Sequence, residues 1–183
     1  MLRRQGLGLL AGLALAAALG GCGFHPMYAE AAGDVPGPVE ADLAAVSIPN
    51  LPERTGQLMR NALQARLNPG ELAVPKRYEL IVAFGIDEQT VGILPDNSVT
   101  RMRWIGTGRW FLKSLDPQRT LLASGTSRLL DAEQIINNQY FASDLDNEVV
   151  QRRLAENLAN QIVLQVGAWF DKHPGAGASP KKL

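Results

Sequence analysis

From Tyr78 onward the chain alternates with period two, in three consecutive long runs separated by turn residues. An α-helix cannot use that pattern, because 3.6 residues per turn would scatter the apolar positions around every side. In the first run Tyr78, Leu80, Val82, Phe84 and Ile86 share one face, with Glu79, Asp87 and Gln89 on the other. Pro95-Asp96-Asn97-Ser98 then turns the chain into a second run, Val99 to Lys113. Asp116-Pro117-Gln118 turns it again into a third, roughly Arg119 to Leu130. Sequential strands joined by tight turns make an antiparallel meander. Its apolar face has to be covered by another layer.

The covering layer is written on either side. Met59, Leu63 and Leu67 recur every four residues with Leu58, Ala62 and Ala65 beside them. Pro52 and Glu53 suit the first turn of that helix, and Asn68-Pro69-Gly70 stops it. A second, longer helix is expected from Ser143 as N-cap, with Asp144, Asp146 and Glu148 as acid in its first turn. Leu145, Val149, Leu154, Leu158, Ile162 and Val166 mark its apolar face, Trp169 and Phe170 close it, and His173-Pro174-Gly175 ends it. Leu43 to Ile48, stopped by Pro49, reads as a short buried strand that can join the meander. The expected fold is a two-layer α+β sandwich over residues 43–172, with two helices packed on a mostly antiparallel four-stranded sheet. Residues 173–183, a Gly/Ala/Ser/Pro stretch with Lys181 and Lys182, are expected to be a disordered tail.

The N-terminus follows different rules. Arg3 and Arg4 precede an apolar or glycine stretch, Leu7 to Leu19, too short to span a bilayer comfortably. Residues 1–21 are therefore expected to be a cleaved signal peptide. Leu19-Gly20-Gly21-Cys22 resembles the lipobox of bacterial lipoproteins, which implies that Cys22 is lipidated and becomes the first mature residue. The implied modification is a covalent N-acyl and S-diacylglycerol lipid, and no other cofactor is expected. Three acyl chains, at about 0.8 kcal/mol per buried methylene, anchor a protein durably where one does not. By the same resemblance Gly23 carries no Asp retention signal, which points to the outer membrane. Residues 22–42 read as the lipidated segment and a linker, with Ala29 to Glu40 a flexible Ala/Gly/Pro loop. The precursor's eighteen basic and eighteen acidic residues become sixteen and eighteen after loss of Arg3 and Arg4, a net of −2.

Little in the chain suits catalysis. The balanced charge argues against nucleic acid as a partner. One cysteine excludes a disulfide framework and a cysteine-based zinc site. His25 and His173 are the only histidines, one beside the anchor and the other at the tail, and both read as solvated or packed. Gly106-Thr107-Gly108 lacks the rest of a dinucleotide fingerprint, and no phosphate loop, His-Glu-x-x-His or Gly-x-Ser-x-Gly occurs. The directional feature is the second strand. Met102, Trp104, Trp110 and Leu112 lie on one face with Gly106 and Gly108, which mark a bulge, a bend or a close backbone approach. Arg101, Arg103, Arg109 and Lys113 lie on the other, around Val99, Ile105 and Phe111. That basic face is either a solvated strand face that deters edge pairing, or an anion-recognition surface.

Cys-Gly-Phe-His-Pro-Met-Tyr at Cys22 to Tyr28 resembles the opening of mature LptE-type lipopolysaccharide-assembly lipoproteins. Asn138-Gln139-Tyr140-Phe141-Ala142, with Arg152-Arg153-Leu154-Ala155 beyond it, is similar to the family's closing region. The resemblance spans nearly all of Cys22 to Phe170. It implies two helices on a four-stranded sheet and no enzymatic activity. It also implies an outer-membrane protein facing the periplasm, partnered by an LptD-type β-barrel whose lumen it plugs and whose assembly it helps. Such a protein assists insertion of lipopolysaccharide into the outer leaflet. Basic residues of the turn-and-strand region are the implied contacts, here Arg101 and Arg103 first, with Arg109 and Lys113 on the same face. A second basic position before the last helix is not kept, since Gln134 to Ser143 contains no Lys or Arg. The alternatives are an accessory or pilot lipoprotein for a different envelope machine, and a lipid-anchored enzyme.

Overall fold

The computed structural model describes residues 37–93, 95, 99–134 and 140–176. The readings of Cys22, His25, the signal peptide and residues 177–183 fall outside them. The described chain runs α1 (Pro38–Ala44), β1 (Val46–Ser47), α2 (Glu53–Leu67), β2 (Tyr78–Ile93), β3 (Val99–Ser114), β4 (Leu121–Gln134) and α3 (Tyr140–Lys172). The four strands form one sheet in the order β1-β2-β3-β4. The two long hairpins are antiparallel, and β1 joins β2 in parallel through Val46–Tyr78 and Ser47–Glu79. The fold is the expected two-layer α+β arrangement with one more helix than predicted.

That helix, α1, occupies the end of the stretch read as a loop and the start of the run read as a strand. Pro38 sits at its first turn, where a fixed φ costs nothing, and Glu40 adds acid there. Leu43 and Ala44 are fully buried, so the apolar run marks the inner side of a helix and then of a two-residue strand. Short apolar runs do not distinguish the two by periodicity. Asp42, also buried, fastens α1 to the sheet: it accepts from Arg77 Nη2 at 2.6 Å and from the Tyr78 hydroxyl at 3.3 Å. Lys76 Nζ donates to the Ala44 carbonyl at 2.7 Å.

Helix α3 already runs at Tyr140, so Ser143 lies inside it rather than capping it. At 33 residues it is about 50 Å long and packs chiefly on β3 and β4. Leu154, Leu158, Ile162, Val166 and Phe170 are all buried against the strands, as their spacing predicts. The two glycines of β3 explain how the helix comes so close. A Cβ on Gly106 would stand 2.8 Å from Leu158 Cδ1, and one on Gly108 would stand 3.2 Å from Ile162 Cδ1. The β2–β3 pairing passes through both positions without a shift, so they serve close approach and not a bulge. At one end of the sheet the Tyr78 and Phe170 rings pack at 4.8 Å.

Helix α2 packs beside α3 and is tied to it by charge. Arg54 Nη2 donates to Glu148 Oε1 at 2.6 Å, and Arg152 reaches the same oxygen at 3.1 Å. The hydrogen bond and charge of Arg54, with Arg152 adding to both, hold the Glu148 carboxyl below its ordinary value. A depressed carboxylate contributes stability that is present above its ordinary range and lost as pH falls through the lowered value. Glu148→Gln is therefore expected to weaken the fold slightly at neutral pH and to flatten its acid sensitivity below the ordinary 4.5. Urea midpoints of both proteins across that range check it, and identical acid profiles contradict it.

Candidate functional site: the uncovered basic face of the sheet

The helices cover one face of the sheet and leave the other open. On β3 the covered side carries Trp104, Trp110 and Leu112, all buried, so the aromatic residues of this strand are core and not a ligand box. Trp110 Nε1 donates to Gln165 Oε1 at 2.8 Å, and Gln165 Nε2 in turn donates to Ser127 Oγ at 3.2 Å. This polar chain fixes α3 against β3 and β4.

The open side carries the cations. Arg101, Arg103 and Arg109 are exposed and Lys113 is half-buried. Their role is set apart by what they do not do. Arg54, Arg77, Arg119, Arg152 and Arg153 each hold a carboxylate, the pairs of the middle three being Asp42, Glu79 and Glu148. Among the described residues, Arg101, Arg103, Arg109 and Lys113 hold none. Glu79 lies directly opposite Lys113 in the register, yet it is taken by Arg119.

The four do not form one cluster. Arg101 and Arg103 stand toward the β2–β3 turn, Arg109 and Lys113 toward the other end, with six residues or about 20 Å of strand between Arg103 and Arg109. Ile105, only 4% exposed, interrupts them, flanked by Asp87 on β2 and Leu130 on β4. A fifth cation, Arg128, completes the patch from β4: it is exposed, faces Thr107 across the ladder, and has no carboxylate partner among the described residues. Its place was hidden by a register shift between Leu112 and Lys113, which slips β4 by one residue and exchanges its faces. Exposed Leu130 (62%) and Phe111 (39%) alternate with the arginines, so the face offers guanidinium forks beside apolar surface.

Among the described residues, nothing comparable supports catalysis. An open cavity of about 490 Å³ lies at the free edge of β1, lined by Val46, Ile48, Leu67, Asn68, Glu71 and Lys76. Ser47 at its rim donates its hydroxyl to the Tyr78 carbonyl at 2.8 Å, which leaves it without a base. His173 stacks on Trp169 at 4.6 Å and its Nδ1 meets the Trp169 carbonyl at 2.8 Å, a helix-ending role. The described residues contain no group of His, Cys, Asp and Glu able to hold a metal ion.

Comparison with known proteins points the same way. The model of the family described as LptE, lipopolysaccharide-assembly, matches residues 43–166, from α1 into the last turns of α3. No curated protein matches the chain. A Caulobacter crescentus CB15 protein described as a lipoprotein shares the fold at a TM-score of 0.60 and 22% identity, over 75% of this chain and 98% of its own. Rare lipoprotein B of Shewanella oneidensis does so at 0.51 and 14% identity, over 70% of this chain and 95% of its own.

Proposed function

Because the chain belongs to the LptE lipopolysaccharide-assembly family, we propose that it is an outer-membrane lipoprotein working with an LptD-type β-barrel. In this reading the lipid on Cys22 holds it at the periplasmic side of the membrane, and the α+β domain plugs the barrel and helps it assemble. Its uncovered basic face contacts lipopolysaccharide on the way to the outer leaflet. The family's work is assembly rather than catalysis, and no reaction is assigned to this chain. The family match over nearly the whole folded domain carries the proposal. Two features support it. A barrel lumen is lined by polar side chains, and the helix layer presents Gln57, Asn61, Gln64, Glu156 and Asn160 outward. Lipopolysaccharide is an anionic amphiphile, and the open sheet face combines arginines without a carboxylate partner among the described residues with Leu130 and Phe111.

Extraction in mild detergent tests the partnership. A large heat-modifiable β-barrel is expected to copurify in constant ratio. A secretin or another assembly machine in its place assigns the accessory or pilot role instead. Anchoring is tested separately: radiolabelled palmitate is expected to enter the wild-type chain and not Cys22→Ala. Equal labelling of both contradicts the anchor.

A further inference from the structure

Among the described residues, nothing in contact accounts for one glycine of the sheet. Gly85 lies on the uncovered face of β2, directly opposite Thr107. Among the described residues, a Cβ placed on it meets nothing within 4 Å, and it is not among the positive-φ residues. Gly106, Gly108 and Gly125 are each pressed by a neighbouring side chain, whereas Gly85 leaves open space. In a strand interior a glycine weakens the fold, and it often marks a place where another molecule approaches the backbone.

What surrounds that space is chemically uniform. The row through Gly85 continues to Thr107 and Arg128, and the next row runs Ala83, Arg109, Thr126. Two arginines and two threonines thus occupy the corners of a square on β3 and β4, like residues on opposite corners. Directly opposed residues have Cβ atoms about 5 Å apart, and the Arg109–Arg128 diagonal is about 7 to 8 Å, within reach of both long side chains. Arg109, Thr126 and Arg128 are exposed, and neither guanidinium has a carboxylate partner among the described residues. The nearest carboxylates of this face are accounted for. Asp87 stands one row away, opposite Ile105, without an ion pair to either arginine, and Glu79 belongs to Arg119.

We infer that this quartet, Arg109, Arg128, Thr107 and Thr126 over the space left by Gly85, is a phosphate-binding site. Two guanidinium forks and two hydroxyls supply more donors than the two oxygens of a carboxylate accept. They match the three or four oxygens of a phosphate monoester or inorganic phosphate. The small side of the square, Gly85 and Ala83, leaves room for whatever the phosphate is attached to. The inference rests on reading the open face as an anion-recognition surface, and not on the barrel partnership. It is distinct from the contact assigned to Arg101 and Arg103, about 20 Å along the strand from Arg109.

The test uses the full chain in phosphatidylcholine nanodiscs, titrated with inorganic phosphate and followed by calorimetry and by the backbone amide signals of Gly85 and Thr107. Both amides are expected to move in wild type. Arg109→Gln with Arg128→Gln is expected to weaken phosphate binding at least tenfold. Gly85→Val is expected to weaken it as much while its Tm stays equal or rises, because the added side chain fills space that nothing occupies. Replacing part of the lipid with phosphatidic acid identifies the source. Movement of the same amides assigns a lipid-borne phosphate, and movement with free phosphate alone assigns a soluble one. Three results overturn the site: no amide movement with either probe, wild-type binding by Gly85→Val, or equal weakening by Arg101→Gln with Arg103→Gln. Barrel copurification from the same variants is expected to persist whichever way the phosphate result falls, so the two readings fail separately.

Discussion

Gly125→Ala is expected to destabilise the fold by about 2 to 4 kcal/mol, although it adds a single methyl group. That methyl would stand 2.7 Å from Trp110 Cζ2 and 2.9 Å from its Nε1. A flexible side chain could swing aside, but an indole moves as a rigid plane. This one is buried and held by its hydrogen bond to Gln165. Overpacking costs about 1 to 3 kcal/mol, and breaking the indole bond leaves a buried donor unsatisfied at a similar cost. The preference of a strand for Ala over Gly returns only about 0.5 to 1 kcal/mol. Gly85→Ala is the control, with the opposite sign: among the described residues nothing stands within 4 Å, so stability is expected to hold or rise. Urea midpoints of the two variants decide it. Equal midpoints contradict the packing of α3 on the sheet described above.

Arg101→Asp combined with Arg103→Asp is expected to weaken lipopolysaccharide binding on the order of a hundredfold while leaving the fold intact. Hydrogen bonds to charged groups contribute about 1.5 to 3 kcal/mol each, so losing one from each arginine already reaches that factor. The reversal then adds repulsion where attraction stood. Folding is expected to survive because both side chains are exposed and neither holds a carboxylate among the described residues. The same substitution at Arg77 would break the ion pair of buried Asp42. Circular dichroism confirms the fold, and binding of the folded double variant at wild-type strength removes the tip of β3 from the site.

The layered architecture was written in the chain as periodicity. Most apolar positions of α2 and α3, the strand faces and the stop at Asn68 appear where spacing placed them, because each element buries chiefly one face. Two do not: Val149 is 55% exposed while Val150 beside it is buried, and Ala65 on α2 is exposed. Three features were not accessible in this way. Helix α1 was masked because Leu43 to Ile48 is too short for its period to be read. The start of α3 lies ahead of the best capping residue, since propensity at Ser143 yields to a helix already formed at Tyr140. The third concerns the site. Arg101, Arg103, Arg109 and Lys113 could be placed on one face from alternation alone, but Arg128 could not. A single register shift near the β3–β4 turn decides which side of the sheet it faces, and no count from the turn reveals that slip. Nor does sequence distinguish an arginine that holds a carboxylate from one that does not. The distinction comes only from three-dimensional neighbours such as Glu79, which passes over Lys113 for Arg119.

The central claim is that the uncovered face of the sheet, and not the helix layer, meets lipopolysaccharide. Photo-crosslinking in intact cells tests it most directly, with a light-activated residue placed at Gln89, beside Arg103 on the open face, or at Asn160, exposed on α3. The account predicts a lipopolysaccharide adduct from position 89 and none from position 160. An adduct from position 160 with none from position 89 would contradict it.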